Sequence, residues 1–460
     1  MNANHMVHCH RHRRSPHLIL LSLFTLLYPL LLLSGSFFQP IHGLPGPDAP
    51  DDWNRTTPEL VRSRGFFCNE YEVETLDQYL IPLFRIVHPS RPMDSKRDPV
   101  LLMHGLFHSS SQWLVNSDDG YVTEAVSSTP GNSLPYELSK RGYDVWLGNL
   151  RGNMEALGHR SLRTDSKGIS SDLFLRHDIH PHPFVCSLTH LVPRPEYWKH
   201  NFDDFTFRDL PALIARVLLV TGKERLDFVG HSIGSAVLFA LLSVNPKYNE
   251  IVNRFIAYPP VAYLASQAGR TSAMPTKKRF ENINARYPAN LMQLRGTMKA
   301  QCTGTSAGRT CKRYFNRHDG IDNDQLQDDR VVVYVLHLLK GTSFMMMAQQ
   351  NQWTNSGTFA RYDYGKEGNR ERYGSTSPPN YTLSAIRHPS ISLFYGESDG
   401  ISTPDDIFRL VNEIPVQTFL FRINRPKWNH FDFVYGKDAG SLAHAKVISI
   451  LNPITVSRKN

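Results

Sequence analysis

Short apolar runs and longer amphipathic runs alternate through the middle of the chain. The apolar runs are continuous, which is typical of strands buried on both faces of a sheet. The amphipathic runs end at glycine or proline and predict helices. Strands are predicted at 99–103, 143–147, 225–232 and 252–261, and helices at 132–142, 209–222 and 236–242. This alternation predicts an α/β fold, a mostly parallel sheet with helices on both faces. Asp209 is expected to cap the second of these helices.

The pattern changes on both sides of this alternating region. Residues 70–87 alternate between polar and apolar side chains and predict an opening pair of antiparallel strands. After the last of the strands above, strand signals become rare until an apolar run at 390–395 predicts a restored strand. We therefore expect a core made of residues 44–263 and 390–460, with a largely helical cap inserted at 264–389.

One predicted strand runs straight into a Gly-x-Ser-x-Gly sequence. It reads G-H-S-I-G at 230–234, and an apolar helical run follows. Strand, sharp turn and helix in this order are typical of a nucleophile elbow, which exposes its serine at the end of the strand. Glycine is expected at both ends of the turn because a Cβ there would clash with the neighbouring strand and helix. The pattern predicts Ser232 as a nucleophile, and the alternative is a glycine-rich turn with a surface serine.

The loop after the first parallel strand is a candidate partner of this turn. It reads H-G-L-F-H-S-S at 104–110, and its glycine allows the backbone to approach a ligand. Beside a nucleophile elbow, this loop supplies one backbone N–H of the oxyanion hole and the residue after the nucleophile supplies the other. Those residues are Leu106 and Ile233, although an ordinary strand-end turn is the alternative. His108 is a candidate catalytic base, but as a polar loop histidine it is expected to be solvated.

A serine nucleophile needs a base, and the base needs an acid to orient it. In this arrangement the acid and then the base follow the serine along the chain, each at a strand end. His430 lies in a loop after the strand predicted at 418–423 and is the expected base, whereas His444 falls in a helical pattern and is expected to be packed or at the surface. Asp399 follows the restored strand and is the expected acid, with Glu397 as its rival.

The N-terminus has the pattern of a secretory signal. Three arginines within residues 11–14 precede an apolar run at 18–33, and small residues follow it. A spanning helix needs about 20 apolar residues. We therefore expect a signal peptide at 1–43, with an uncleaved signal-anchor as the alternative. No later stretch has the length and apolarity of a span, so no stable membrane span is expected once the signal is cleaved.

Two further features support a secretory route. Asn54 and Asn380 each begin an Asn-x-Thr sequon and are candidates for glycosylation. Cys302 and Cys311 bracket a turn-rich loop, where a local disulfide is plausible in an oxidising compartment. The two other cysteines beyond the signal could be free or paired.

Composition narrows the possible partners. The chain has 460 residues, 41% of them hydrophobic and 20% charged, as in an ordinary globular protein. Its formal net charge of +9 suits an anionic lipid surface or simple solubility, and no basic block interleaved with aromatics indicates nucleic acid. Residues 166–195 lack periodicity and predict an irregular insertion. Its histidines fit no metal-ligand spacing, so no metal is expected; they are His177, His180, His182 and His190.

Taken together, the motifs resemble those of the acid lipases of the gastric and lysosomal type, within the α/β-hydrolase superfamily. The resemblance extends from about Cys68 to about Gly436. The matching stretches lie at 104–106, 142–149, 151–153, 209–212, 230–232, 359–365, 373–379 and 429–433.

This resemblance implies hydrolysis of neutral lipid esters, triacylglycerols or cholesteryl esters, at a lipid–water interface. It also implies a mobile lid in the cap, secretion or lysosomal delivery, and glycosylation. The Cys302 and Cys311 pair stands where such lipases carry a cap disulfide. The chemistry needs no metal or organic cofactor, and the sequence indicates no particular oligomeric state.

Two departures from the family pattern stand out. Ile233 replaces the usual glutamine after the nucleophile, which should leave the chemistry intact and make the pocket more apolar. The insertion at 166–195 is longer than usual. Two other functions remain open: a carboxylesterase acting on shorter soluble esters, and a catalytically silent hydrolase fold used for binding.

Overall fold

The computed structural model describes residues 51–117, 119–162, 164, 195–264, 286–287, 289–303, 311–312 and 324–452. These residues pack as one compact unit. The expected signal at 1–43, and the expected insertion apart from its last residue, lie outside them. Among the described helices, none combines the length and apolarity needed to cross a membrane.

Nine strands of the described chain form one sheet. The strands are β1 (Phe67–Glu74), β2 (Tyr79–Val87), β3 (Val100–Met103), β4 (Val145–Gly148), β5 (Gly158–His159), β6 (Leu226–Ser232), β7 (Val252–Pro260), β10 (Ser390–Tyr395) and β11 (Thr418–Arg422). Their order in the sheet is β1-β2-β4-β3-β6-β7-β10-β11, with β5 beside β2. A separate antiparallel pair is formed by β8 (Arg286–Tyr287) and β9 (Thr342–Ser343).

Among the strands from β1 to β11, the direction reverses on both sides of β2 and nowhere else along the order of the sheet. The opening strands β1 and β2 are antiparallel to each other, and β2 is antiparallel to β4. From β4 to β11 every neighbouring pair is parallel. The predicted antiparallel opening and the predicted mostly parallel sheet are both confirmed.

Helices connect these strands. They are α1 (Thr57–Ser63), α2 (Leu134–Lys140), α3 (Leu210–Thr221), α4 (Ile233–Val244), α5 (Pro246–Ile251), α6 (Leu291–Cys302), α7 (Val331–Leu338), α8 (Phe344–Ser356), α9 (Gly365–Tyr373), α10 (Pro404–Glu413), α11 (Asp432–Tyr435) and α12 (Ala445–Leu451). They cover both faces of the sheet. This follows from the packing of β3, whose successive side chains point to opposite faces and lie in different hydrophobic clusters. Leu101 packs in one hydrophobic cluster, and its neighbours Val100 and Leu102 pack in another.

Between β7 and β10 the described residues are mainly helical. Helix α7 is buried and packs in the same cluster as Val100 and α2, so this segment contacts the core of the sheet directly. The expected disulfide between Cys302 and Cys311 is confirmed, with their Cα atoms 5.6 Å apart. Cys68 is a buried free thiol.

The expected capping role of Asp209 is wrong. Helical turns continue back from α3 to Phe202, so Asp209 has helical backbone angles and its side chain caps nothing. Its carboxylate is fully buried and accepts a hydrogen bond from Nε of Arg151 at 2.7 Å. A second carboxylate, that of Asp77, accepts from the same guanidinium, which lies 3.8 Å from the ring centre of Tyr79. Burial raises the pKa of Asp209 to about 6 against the opposing charge of Arg151.

We expect the change Arg151→Met to lower the free energy of unfolding by about 3–5 kcal/mol, because it leaves the buried Asp209 without its cation. Urea unfolding at neutral pH measures this. The control is Arg160→Met, which removes an exposed ion pair with Glu74 and should barely move the unfolding midpoint. Equal losses in the two variants would contradict the structural role assigned to Arg151.

Candidate active site

Ser232 ends β6 in a conformation that few L-residues adopt. Its backbone angles are φ +57° and ψ −122°, and α4 begins at the next residue, Ile233. Such strain is concentrated at functional sites and persists only where the surroundings hold it in place. The predicted strand, sharp turn and helix are therefore present at this position, and the serine stands at the carboxyl end of a central strand.

The two glycines of the turn are required by close backbone contacts. A Cβ on Gly230 would come within 2.6 Å of the backbone nitrogen of Ser235 in α4. A Cβ on Gly234 would come within 2.5 Å of the carbonyl oxygen of Met103 at the end of β3. The first contact sets how closely α4 approaches its own strand, and the second sets how closely it approaches the neighbouring strand. Ile233 is fully buried in the hydrophobic core.

His430 and Asp399 form a buried pair. Nδ1 of His430 lies 2.9 Å from Oδ2 of Asp399. The other oxygen of Asp399 accepts hydrogen bonds from the backbone N–H groups of Ile401 at 2.8 Å and Ser402 at 2.7 Å. With both oxygens engaged, the carboxylate is fixed in orientation. An Nδ1–H that donates to it leaves Nε2 as the proton acceptor, as a general base requires.

The rival candidates lie elsewhere. Glu397 is exposed, and its carboxylate pairs with Arg422 at 2.7 Å. His444 was expected to be either packed or at the surface, and it is packed. Its Nδ1 lies 2.7 Å from the hydroxyl of Tyr258.

His231 connects the serine turn to the histidine loop. Its Nε2 lies 3.1 Å from the carbonyl oxygen of His430, and the centres of the two rings are 4.9 Å apart. Because His231 precedes Ser232, this contact brings the loop that carries His430 against the serine turn. Burial holds the pKa of His231 well below its usual value, with the neighbouring His430 adding to the effect. The sequence analysis assigned no role to His231. Its position inside the Gly-x-Ser-x-Gly sequence at 230–234 was the only indication of one.

The loop at 104–110, called the oxyanion loop below, lies against the serine. A Cβ on Gly105 would come within 2.9 Å of Nδ1 of His231 and within 3.2 Å of the Cβ of Ser232, so glycine eases this close approach. The backbone N–H of Gly105 donates to Oε1 of Gln112 at 3.0 Å. Leu106 follows, and Phe107 has a positive φ of +64°. The structure thus brings the backbone around Leu106 next to the turn that contains Ile233.

His108 is buried, and the expectation that it is solvated is wrong. Its Nδ1 lies 2.9 Å from the carbonyl oxygen of Leu106. Burial lowers the pKa of His108 to about 3, which keeps the ring neutral. The buried ring therefore supports the backbone of the oxyanion loop at Leu106.

An ion pair that sequence reasoning missed also holds this loop. The backbone N–H of Lys340, which precedes β9, donates to the carbonyl oxygen of Phe107 at 2.8 Å. Its ammonium lies 3.2 Å from Glu155, which also accepts from the hydroxyls of Ser109 and Thr57, each at 2.7 Å. Burial would raise the pKa of Glu155, but Lys340 and the two hydroxyls hold it at about 2. No spacing in the sequence indicates this pairing of distant segments.

His104, at the start of the oxyanion loop, is locked in its neutral form. Its Nε2 accepts from the backbone N–H of Leu150 at 3.1 Å and faces the side-chain amide of Asn153 at 3.2 Å. Its Nδ1 lies 2.7 Å from the carbonyl oxygen of Gly105. Burial lowers the pKa of His104 to about 4, although the carbonyl oxygen of Gly105 opposes this shift.

No group of three or more His, Cys, Asp or Glu side chains within the described ranges could hold a metal ion. The four histidines considered for metal lie outside those ranges. Asn54 and Asn380 are both exposed.

Comparison with known proteins places this geometry in a family. A family model described as the alpha/beta hydrolase fold matches residues 98–437, and one described as a partial alpha/beta-hydrolase lipase region matches residues 57–117. Rat gastric triacylglycerol lipase is 29% identical over 440 residues, 92% of this chain and 99% of that protein. Human lipase member M is 28% identical over 404 residues, 85% of this chain and 84% of that protein.

Among solved structures, a protein from Sulfolobus solfataricus, named only provisionally as a lipase, superposes with a TM-score of 0.50 at 12% identity. The match covers 84% of this chain and 94% of that one. A likeness at this level of identity shows the shared fold.

We expect His104→Gln to flatten the pH dependence of stability. Between about pH 6.5 and 4, His104 binds a proton in the unfolded chain but not in the folded protein. The free energy of unfolding therefore falls as the pH falls. One such group contributes up to about 1.4 kcal/mol per pH unit. Urea unfolding at pH 7, 6 and 5 measures the slope. The control Met103→Leu, a buried uncharged neighbour, should keep the wild-type slope; an unchanged slope in His104→Gln refutes the assignment.

Proposed function

Because the chain belongs to the alpha/beta hydrolase fold family, we propose that it is a lipase with Ser232 as nucleophile, His430 as base and Asp399 as acid. The observation that carries this proposal is the setting of His430. Its Nδ1 is held by a fully engaged carboxylate, and its backbone contacts the residue before the strained serine. The chain order serine, aspartate, histidine is the one found in this fold.

In the proposed mechanism, Nε2 of His430 removes the proton from Ser232 as the serine oxygen attacks the ester carbonyl. The backbone N–H groups of Leu106 and Ile233 donate to the oxyanion that develops. His430 then gives its proton to the departing alcohol, and water activated by the same imidazole hydrolyses the acyl-enzyme. Asp399 keeps the proton of the neutral ring on Nδ1 and stabilises the imidazolium.

The proposed substrates are neutral lipid esters, triacylglycerols or cholesteryl esters, at a lipid–water interface. Two relatives that match most of the chain are a gastric triacylglycerol lipase and a lipase of the M type. We further propose that residues 264–389 act as a cap over the site. Lys340 supports this, because its backbone bonds to Phe107 beside the proposed oxyanion donor.

We place the protein in the secretory pathway, as a secreted or lysosomal glycoprotein with a signal at 1–43. The Cys302–Cys311 disulfide suits an oxidising compartment. The exposed positions of Asn54 and Asn380 leave both sequons accessible to glycosylation.

We expect Asp399→Asn to lower kcat by about 10⁴-fold, since the imidazole loses the partner that sets its tautomer. Glu397→Gln, which alters the rival carboxylate, should stay within about twofold of wild type because that side chain pairs with Arg422 at the surface. Steady-state hydrolysis of a dissolved nitrophenyl ester measures both. A large loss in Glu397→Gln with little loss in Asp399→Asn would exchange their roles. No hydrolysis by folded wild-type protein, on this ester or on emulsified lipids, would favour a silent binding protein.

We expect the rate of ester hydrolysis to rise when the substrate concentration exceeds its solubility limit, because long-chain neutral esters are accessible to the enzyme only at a lipid–water interface. A series from tributyrin to triolein, with cholesteryl oleate as a separate arm, measures this on purified wild-type glycoprotein. The control is the same series with Ser232→Ala. Activity confined to dissolved short esters would identify a carboxylesterase instead.

A further inference from the structure

His104 bonds to the peptide group that carries one of the proposed oxyanion donors. The N–H of Leu106 and the carbonyl of Gly105 belong to one planar, trans peptide group. In a trans peptide these two bonds point in opposite directions, so a contact that fixes the carbonyl also fixes the direction of the N–H. Nδ1 of His104 lies 2.7 Å from this carbonyl oxygen, and the ring is buried. The imidazole is therefore placed to aim the Leu106 N–H.

The other nitrogen of the ring sets the direction of this hydrogen bond. Nε2 of His104 accepts from the backbone N–H of Leu150, in the loop after β4, at 3.1 Å. In the neutral ring the proton is then on Nδ1. A carbonyl oxygen can only accept, so Nδ1–H donates to Gly105. The ring thus links the end of β4 to the oxyanion loop in a single tautomer.

These contacts form one chain of hydrogen bonds that leads to the proposed oxyanion hole. The chain runs from the Leu150 N–H to Nε2 of His104, and from Nδ1–H to the Gly105 carbonyl. It continues through that peptide group to the Leu106 N–H. Hydrogen bonds in such a chain polarise one another, with a strengthening of roughly 10–30% per bond. A peptide whose carbonyl accepts a short bond is therefore a stronger donor at its N–H.

The other contacts of the oxyanion loop act on different groups or at longer distance. The backbone N–H of His108 reaches the same Gly105 carbonyl at 3.3 Å. The side chain of His108 holds the Leu106 carbonyl, which belongs to the next peptide group. Gln112 holds the N–H of Gly105, which belongs to the preceding one. Within the described ranges, His104 is the one side chain bonded to the peptide group that carries the Leu106 N–H.

From this geometry we propose that His104 is a positioning residue of the oxyanion hole. It orients the Leu106 N–H and strengthens it as a donor to the oxyanion. The inference rests on the proposed function, which assigns Leu106 this role. His104 acts through the peptide group rather than on the substrate. Because the oxyanion develops only as the ester reacts, loss of the bond to Gly105 should lower kcat and leave the binding of substrate nearly unchanged.

The test replaces the two ring nitrogens one at a time. His104→Asn places an amide nitrogen at the position of Nδ1, so it can keep the bond to Gly105 and loses the bond from Leu150. His104→Gln reaches the position of Nε2, so it can keep the bond from Leu150 and loses the bond to Gly105. On a dissolved nitrophenyl ester, we expect His104→Gln to lower kcat about 10- to 100-fold with KM within about threefold of wild type. His104→Asn should keep kcat within about threefold of wild type.

The comparison of the two variants separates this role from a merely structural one. If His104 only stabilised the loop, kcat would follow the free energy of unfolding from one variant to the other. The control His444→Leu removes another buried histidine, bonded to Tyr258 and to the carbonyl of Asn132. It should lower the urea midpoint and leave kcat within about twofold of wild type. Wild-type kcat in folded His104→Gln, or equal losses of kcat in His104→Gln and His104→Asn, overturns the proposal.

A transition-state analogue gives a second readout that needs no turnover. When an alkyl trifluoromethyl ketone binds, the Ser232 oxygen adds to its carbonyl carbon, the serine proton passes to His430 and the carbonyl oxygen becomes the oxyanion. Calorimetry should show its Kd raised about 10- to 100-fold in His104→Gln. The Kd of a dialkyl ether of the same length, which forms no oxyanion, should stay unchanged.

Equal weakening of the ketone and the ether in His104→Gln would indicate a general loss of the site and overturns the proposal. An unchanged Kd for the ketone also overturns it, because the Leu106 N–H would then need no support from His104. Failure of the proposed function would appear separately, as wild-type protein that hydrolyses no ester.

Discussion

The candidate active site depends on holding the backbone of Ser232 in a strained conformation. A residue in such a region costs about 1–3 kcal/mol, which the surroundings must offset. Here the offset comes from α4, whose residues from Ile233 to Ser243 are all buried. The glycines at 230 and 234 allow this helix to lie against its own strand and against the end of β3. The serine is thus fixed by the packing of the core rather than by contacts of its own side chain.

Buried polar groups next to this turn fix the oxyanion loop in the same way, through contacts with the surrounding structure. Low pKa values keep the buried rings of His104 and His108 neutral, and Glu155 is charged but paired with Lys340. Each of these groups bonds to the backbone or side chains of the oxyanion loop or to a segment packed on it. The loop therefore has a fixed hydrogen-bonding pattern at neutral pH, as preorganised stabilisation of an oxyanion requires.

Local sequence was sufficient to predict the long strands of the sheet, the serine turn and the order of the candidate residues, but not the two-residue strands β5, β8 and β9. Short apolar runs of strand length, bounded by turn signals, indicated buried strands, and glycine on both sides of Ser232 indicated where the chain must pack closely. Contacts between distant segments were not predictable in this way. Asp209 has the sequence context of a helix cap, yet it pairs with Arg151; His108 has the context of a solvated loop, yet it is buried.

We propose Ser232 as the reactive serine and His430 as the residue that activates it. Labelling the purified protein with a fluorophosphonate, followed by peptide mass spectrometry, tests this directly. We expect one adduct, on the peptide that contains Ser232, and no adduct at the same exposure in His430→Gln. An adduct on another serine, or undiminished labelling of His430→Gln, would contradict it.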